Sequence, residues 1–319
     1  MAVVPGGRLI VKGQGFDVRP GHVPGVTLGS VPVRVVRASS RVLVVDVPGE
    51  VPGGRQPVAI EGLEGSTPYV TVGSVLATGV HQVDSPVYDG DGRLYTTLSG
   101  QRGQQTPVSV FRVSADGARE PFAAGLGNAT SLAFGPDGEL YVSNRFEGSV
   151  TRVSPEGTPT KFADGLGAAF GLAFTSTGHL LVGDRSGTIH RLDRDGHPAV
   201  LASIPPSVAA FHLAVAPDDV LIVSAPTLSS SDALYRVSPD GTVERWLDGF
   251  GRPQGVAFDR HGVLHVVDAL AGDSLVYRVD ADGTRTAVLS GAGLIGVAFD
   301  HLDGAMTVCT DDTIYRVAG

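Results

Sequence analysis

Apolar and polar positions alternate with a period of two in a short run that recurs six times: VFRV ending at Val113, VTRV at Val153, IHRL at Leu192, LYRV at Val237, VYRV at Val279 and IYRV at Val317. That period belongs to a strand with one face buried. Ahead of each run lies a second repeat, an apolar strand, a turn and another apolar strand. Its copies begin at Ser85, Ser131, Gly171, His212, Gly255 and Gly296, and SLAFGPDGELYVS from Ser131 is typical. After the Arg-Val runs come the turns SADGA, SPEGT, DRDGH, SPDGT and DADGT. Asp-Gly favours hairpins because glycine takes positive φ at little cost. The copies follow one another at about 40 residues, the length of a four-stranded propeller blade. The pattern predicts an all-β protein whose main body is a six-bladed β-propeller.

The sixth copy ends at Ile314-Tyr-Arg-Val317-Ala-Gly319 and has no fourth strand. Gly73-Ser-Val-Leu-Ala-Thr-Gly79, just ahead of the first copy, resembles that missing strand. Residues 73–78 are therefore expected to close the last blade, so that the ring leaves no open edge. This divides the chain into residues 1–72 and a propeller of residues 73–319. The front part has its own rhythm of short alternating strands between Gly/Pro turns, which predicts a small β-sandwich. Its residues Gly6-Gly7, Gly13-Gln-Gly-Phe16, Val26-Thr-Leu-Gly29, Val44-Val-Asp-Val-Pro48 and Gly53-Gly54 resemble the IPT/TIG domain, an immunoglobulin-like fold. That resemblance implies a module that mediates contacts or spaces other domains, and so a protein partner. The family has a further short strand before the Pro-Gly-Gly turn, so a truncated or misassigned N-terminus is expected.

Composition narrows the function. With 44 Gly, 21 Pro and 18% charged residues the chain suits tight turns and a large core. Its net charge of −9 argues against nucleic acid or an anionic membrane as partner. The single cysteine, Cys309, excludes an internal disulfide and reads as a small buried hydrophobe. No apolar stretch approaches the ~20 residues of a membrane span, and the start of the chain is not a signal peptide. A cytoplasmic location is the default expectation, with secretion open if the N-terminus is incomplete. The sequence holds no G-x-S-x-G elbow, no H-E-x-x-H and no P-loop. Asp193-Arg-Asp195-Gly196 and Asp280-Ala-Asp282-Gly283 resemble the start of a calcium loop but lack its downstream carboxylate, so they read as hairpins. The recurring arginines Arg112, Arg152, Arg191, Arg236, Arg278 and Arg316 occupy one equivalent position in every copy, which marks them as structural.

The motifs GLAF-x-x-x-G-x-L-x-V-x-D (Gly171 to Asp184) and PQGVAFDRHGVLHVVDA (Pro253 to Ala269) resemble the gluconolactonase/senescence-marker and NHL-repeat propellers. The first resemblance implies a channel site with one divalent cation such as calcium, held by the residue before each innermost strand. That position is filled here by Asp84, Thr130, Phe170, Phe211, Gln254 and Ile295. Asp84 stands in for the family's glutamate, whereas Phe211 replaces its Asn and Gln254 its Asp. A hard cation wants several oxygens, and one carboxylate among aromatic and aliphatic side chains is a poor cage. Asp84 is the one metal ligand this pattern offers.

The same ring is half apolar and half polar, as small-molecule sites are. Residues after the second strands belong to the same face and add Asn144, Arg145, Asp184, Arg185, Asp268 and Asp311. His212 is a candidate general base, paired with Asp84. Asp184 and Asp268 have a structural alternative, since Asp after a strand often holds a turn. Three long loops, 99–107, 225–232 and 269–274, lie on this face. Two functions stay open. One is a small-molecule-binding propeller that acts as a gluconolactonase-like hydrolase on a lactone or ester in the channel. The other is a non-catalytic NHL-type binding or scaffold protein.

Overall fold

The computed structural model describes residues 1–63, 65, 67–80, 85–270 and 273–318. All its regular elements are strands. The N-terminal segment holds β1 (Ala2–Val3), β2 (Arg8–Lys12), β3 (Val26–Leu28), β4 (Val31–Ala38), β5 (Val42–Asp46), β6 (Gly54–Ile60) and β7 (Tyr69–Val72). Then come β8 (Ser74–Thr78) and the meanders. The first is β9 (Val87–Tyr88), β10 (Leu94–Thr97), β11 (Val110–Val113) and β12 (Arg119–Ala123). The second is β13 (Ala129–Phe134), β14 (Leu140–Asn144), β15 (Ser149–Val153) and β16 (Pro159–Ala163). The third is β17 (Ala169–Phe174), β18 (Leu180–Asp184), β19 (Thr188–Leu192) and β20 (Pro198–Ser203). The fourth is β21 (His212–Val215), β22 (Leu221–Ser224), β23 (Asp232–Val237) and β24 (Val243–Phe250). The fifth is β25 (Pro253–Phe258), β26 (Leu264–Leu270), β27 (Asp273–Val279) and β28 (Arg285–Gly291), and the last β29 (Gly296–Phe299), β30 (Met306–Cys309) and β31 (Thr313–Val317).

Five sheets stand as separate four-stranded blades: β9–β12, β13–β16, β17–β20, β21–β24 and β29–β31 with β8. The expected sixth separate blade is not found. The strands β25–β28 form the same antiparallel meander but run on, through β1, into the N-terminal strands as one eleven-stranded sheet. Strand β1 pairs in parallel with β28 (Ala2↔Leu289, Val3↔Ser290) and with β7 (Val3↔Val72). The expected free-standing immunoglobulin-like sandwich is corrected in the same way, because the apolar Ala2-Val3 pair covers the outer edge of β28. The N-terminal strands keep a core of their own, built on Leu9, Phe16, Leu28, Leu43, Val45 and Val58. Strand β8 pairs antiparallel with β31 (Thr78↔Thr313, Ser74↔Arg316) and supplies the outer strand there.

The innermost strands β9, β13, β17, β21, β25 and β29 touch in that order around a closed cycle. Neighbouring sheets cover both faces of the second strands, so β14 and β18 are buried along their whole length. Outer strands such as β16 are mostly exposed. That gradient explains why second strands read as unbroken apolar runs and third strands as alternating ones. The repeated arginines lie at the exposed end of this gradient. Arg112 pairs with Glu120 at 2.6 Å, Arg152 with Glu139 at 2.8 Å and Arg316 with Asp303 at 2.6 Å. Arg236 instead lies over Trp246, its guanidinium carbon 3.6 Å from the ring centre.

The turns carry a run of side-chain caps. Backbone N–H groups of His197, Thr242 and Thr284 donate to Asp193, Asp240 and Asp282 at 2.9, 3.0 and 2.9 Å. Asp219 takes the left-handed position (φ 62°) that glycine fills in the equivalent turns, and accepts Ser176 N–H at 2.7 Å and its hydroxyl at 2.5 Å. These bonds hold the four carboxylates below their ordinary value, as does the Ser114 hydroxyl for Asp116. A folded-state pKa below the unfolded one means stabilisation that is complete above the ordinary carboxylate range and lost as pH falls through the folded value. Thermal unfolding followed by circular dichroism is expected to give a level midpoint above about pH 5 and a falling one from there towards about pH 2. Asp219→Asn removes part of the fall. A midpoint that stays level to about pH 2 would show that the caps do not form in solution.

Candidate functional site: the channel mouth

Two cavities follow the axis. The larger, about 570 Å³, opens at the mouth and is lined by Thr130, Arg145, Phe170, Arg185, Gln254 and Ile295, with Asp311 on the rim. The sequence pattern named all of these. At three of them the pairing of the innermost strand slips by a β-bulge. Pairing slips between Ala129 and Leu132, between Ala169 and Leu172, and between Pro253 and Val256, the stretches that hold Thr130, Phe170 and Gln254. A bulge re-aims a side chain away from the regular pleat. Strand β21 pairs without such a slip, and Phe211 just before it is buried in the core, lining neither cavity. A Cβ added to Gly183 would overlap the Phe211 ring, so the ring lies on bare backbone.

The two mouth arginines are fixed differently. Arg185 donates from Nε to the Ser207 carbonyl at 3.2 Å and from Nη2 to the Val208 carbonyl at 2.7 Å. Arg145 donates from Nη2 to Ser99 Oγ at 3.4 Å, on the long loop of residues 99–107. That loop is tied down by Asn128, which the repeat pattern does not mark as a site residue. Asn128 has φ 55° and is buried; its Nδ2 donates to the carbonyls of Gly100 (2.9 Å) and Gln101 (3.0 Å), and its Oδ1 accepts Gly103 N–H at 2.7 Å. Asparagine after Gly127, where a left-handed backbone is tolerated, was the available signal. Thr130 donates to the Asn128 carbonyl at 2.9 Å.

The other predicted residues point elsewhere. Asn144 is buried and donates to Ser149 Oγ (3.2 Å) and Thr151 Oγ1 (2.9 Å) in its own hairpin. Asp184 accepts Ala168 N–H at 2.9 Å, together with the Ser186 N–H and hydroxyl. Asp268 accepts the N–H groups of Gly251 (3.0 Å) and Arg252 (2.7 Å). Both carboxylates thus hold the loop that feeds their blade's first strand, the structural alternative for such residues. His212 lines the second, narrower cavity of about 240 Å³, deeper in the channel with Ser85, Tyr88, Ser131 and His301. Asp84 and residues 271 and 272 of the third loop lie outside the described residues.

A divalent cation does not fit the described donors at the mouth. Thr130 and Gln254 offer neutral oxygens, Phe170 and Ile295 none, and Asp311 is one exposed carboxylate. Calcium takes six to eight oxygens, several of them anionic. Asp193, Asp195 and His197 bring ligand atoms within 4.8 Å of one another, but all three are exposed and the Asp193 carboxylate is spent on its turn.

No family model matches the chain, and no curated protein matches it. Solved structures do. A protein with the provisional name gluconolactonase is 16% identical with a TM-score of 0.61, over 77% of this chain and 91% of that one. An auxiliary nutrient binding protein from Bacteroides ovatus is 12% identical with a TM-score of 0.59, over 99% of this chain and 95% of that one. Virginiamycin B lyase from Staphylococcus aureus is 13% identical with a TM-score of 0.55, over 77% of this chain and 98% of that one. The chain has a β-propeller fold. At these identities the likeness extends to the fold and no further.

Proposed function

We propose that the channel mouth binds a small, largely apolar molecule with one carbonyl or anionic group. The observation that carries this reading is the convergence of Thr130, Arg145, Phe170, Arg185 and Gln254 on a single cavity of about 570 Å³. That volume suits a small-molecule ligand, with Phe170 and Ile295 as apolar walls and two guanidinium groups to orient a polar end. A binding role is favoured over hydrolysis by one feature. His212 lines a different cavity from Gln254, and the Asp184 and Asp268 carboxylates are engaged by backbone amides. In this reading β25–β28 count as the sixth blade, and β2–β7 as an IPT/TIG-like module offering a surface to a protein partner.

The test is a thermal-shift screen with γ-butyrolactone, phenyl acetate and benzoate, repeated on Gln254→Leu and Arg185→Gln. A probe that stabilises the wild type is expected to bind at least about tenfold more weakly to either variant, since each loses one placed polar group. Equal stabilisation of all three proteins would remove the mouth as the site. The hydrolytic reading has its own arm: turnover of phenyl acetate by the wild type that His212→Ala abolishes.

A further inference from the structure

A second site follows from comparing the blades with one another. In blade β9–β12, Tyr95 projects from the second strand between two phenylalanines, Phe122 of its own outer strand (4.9 Å between ring centres, 80°) and Phe134 of the next blade (5.2 Å, 79°). Blade β13–β16 repeats this with Tyr141, Phe162 (5.0 Å, 86°) and Phe174 (4.9 Å, 72°). The phenol is held at its tip as well: Tyr141 donates to Asp137 Oδ2 at 2.9 Å, while Oδ1 of the same carboxylate accepts Glu139 N–H at 3.1 Å. In blade β17–β20 the three positions become Leu181, Leu201 and Val215 together, and aliphatic packing fills the space.

Blade β21–β24 breaks the pattern at the tyrosine itself. The walls stay aromatic, as Trp246 and Phe258, but the tyrosine position is Ile222. The turn aspartate is also kept. Asp218 Oδ1 accepts Val220 N–H at 3.3 Å, and among the described residues Oδ2 takes no hydrogen bond. Arg236, equivalent to the arginine beside Tyr141, has Val220 in place of a glutamate partner and lies over Trp246 instead. The cleft between this blade and β25–β28 opens to about 700 Å³, against about 370 Å³ and 430 Å³ for the equivalent clefts that hold Tyr95 and Tyr141.

We propose that this cleft binds a small phenol, its ring between Trp246 and Phe258 over Ile222 and its hydroxyl donating to Asp218 Oδ2. The protein's own tyrosines show the complementary chemistry. A ring in that slot gains two edge-to-face contacts, and its O–H meets an acceptor already oriented by the turn. The extra volume admits a substituent para to the hydroxyl, where Ile222 replaces the tyrosine stem. This site is independent of the channel mouth.

The chain has one tryptophan, Trp246, so its fluorescence reports on the cleft alone. Titration of the full-length protein with 4-methylphenol is expected to give a saturable change with a Kd of about 1 mM, the scale for a ligand of so few atoms. 4-Methylanisole, which has no O–H to donate, is expected to bind at least about fivefold more weakly. Ile222→Tyr restores the residue of the other blades and fills the slot; binding should weaken at least about tenfold while the melting temperature holds or rises. Asp218→Asn, an exposed change that leaves the fold alone, should narrow the gap between phenol and anisole, and it decides the matter if Ile222→Tyr does not fold. No saturable change, equal affinity for the two probes, or undiminished binding by Ile222→Tyr each overturns the site.

Discussion

Gly157→Ala is expected to destabilise the protein by about 2–5 kcal/mol, while the same change at Gly138 costs only about 1–2 kcal/mol. Both glycines sit in tight turns with positive φ, 85° and 78°, and so share the strain of placing a side chain in the left-handed region. They differ in what lies outside. A Cβ on Gly138 would meet open space. A Cβ on Gly157 would overlap the Phe122 carbonyl oxygen on the outer strand of the preceding blade. The turn, closed by Gly157 N–H to the Ser154 carbonyl at 2.8 Å, cannot move without opening the seam between blades. Gly117, Gly196 and Gly241 meet the carbonyls of Leu76, Phe162 and Leu201 in the same manner. The added cost at Gly157 is therefore one of blade-to-blade fit. Urea unfolding of the two variants measures it, and equal losses would mean that the seam gives way freely.

Phe211→Ala should cost about 3–5 kcal/mol, the range for removing a fully buried aromatic side chain. Phe211 is 1% exposed and packs with Phe170, Ile204, Leu213 and Val223. Its ring rests on the Cα of Gly183, which has no side chain to extend into the space left behind. Binding at the channel mouth should survive in whatever fraction of the variant remains folded. A small loss of stability with lost binding would instead make Phe211 part of the mouth.

The two variants mark how far the sequence could be read. Strand positions were legible because a strand facing neighbours on both sides must be apolar throughout and an outer one need not be. The donation of residues 74–78 to the last blade was legible because a meander one strand short leaves an edge to cover. The attachment of Ala2-Val3 to β28 was not. A two-residue strand has no periodicity, and its place is set by the open edge it meets. At the mouth, Thr130, Phe170 and Gln254 followed from one repeated position. Phe211 holds that position too, but its strand lacks the slip in pairing that swings the other three towards the axis. Asp184 and Asp268 looked like ligand groups by residue type. The amides of the loops beside them are closer than anything in the channel, and no pattern of types reveals that competition.

Strands β1 and β8 have a consequence for how the chain is made. Each is synthesised long before its partner in the ring, Ala2-Val3 before Leu289-Ser290 and Ser74–Thr78 before β31. On a ribosome that delivers residues in order, both strands wait for the last two meanders before they can pair with the ring. The edges they turn towards the ring stay open while the meanders between are made, in the class of long-range β pairings that form slowly and expose unpaired strands meanwhile. The ring closes only once β31 is made, and a chain halted before it would carry both the gap and the strand meant to fill it.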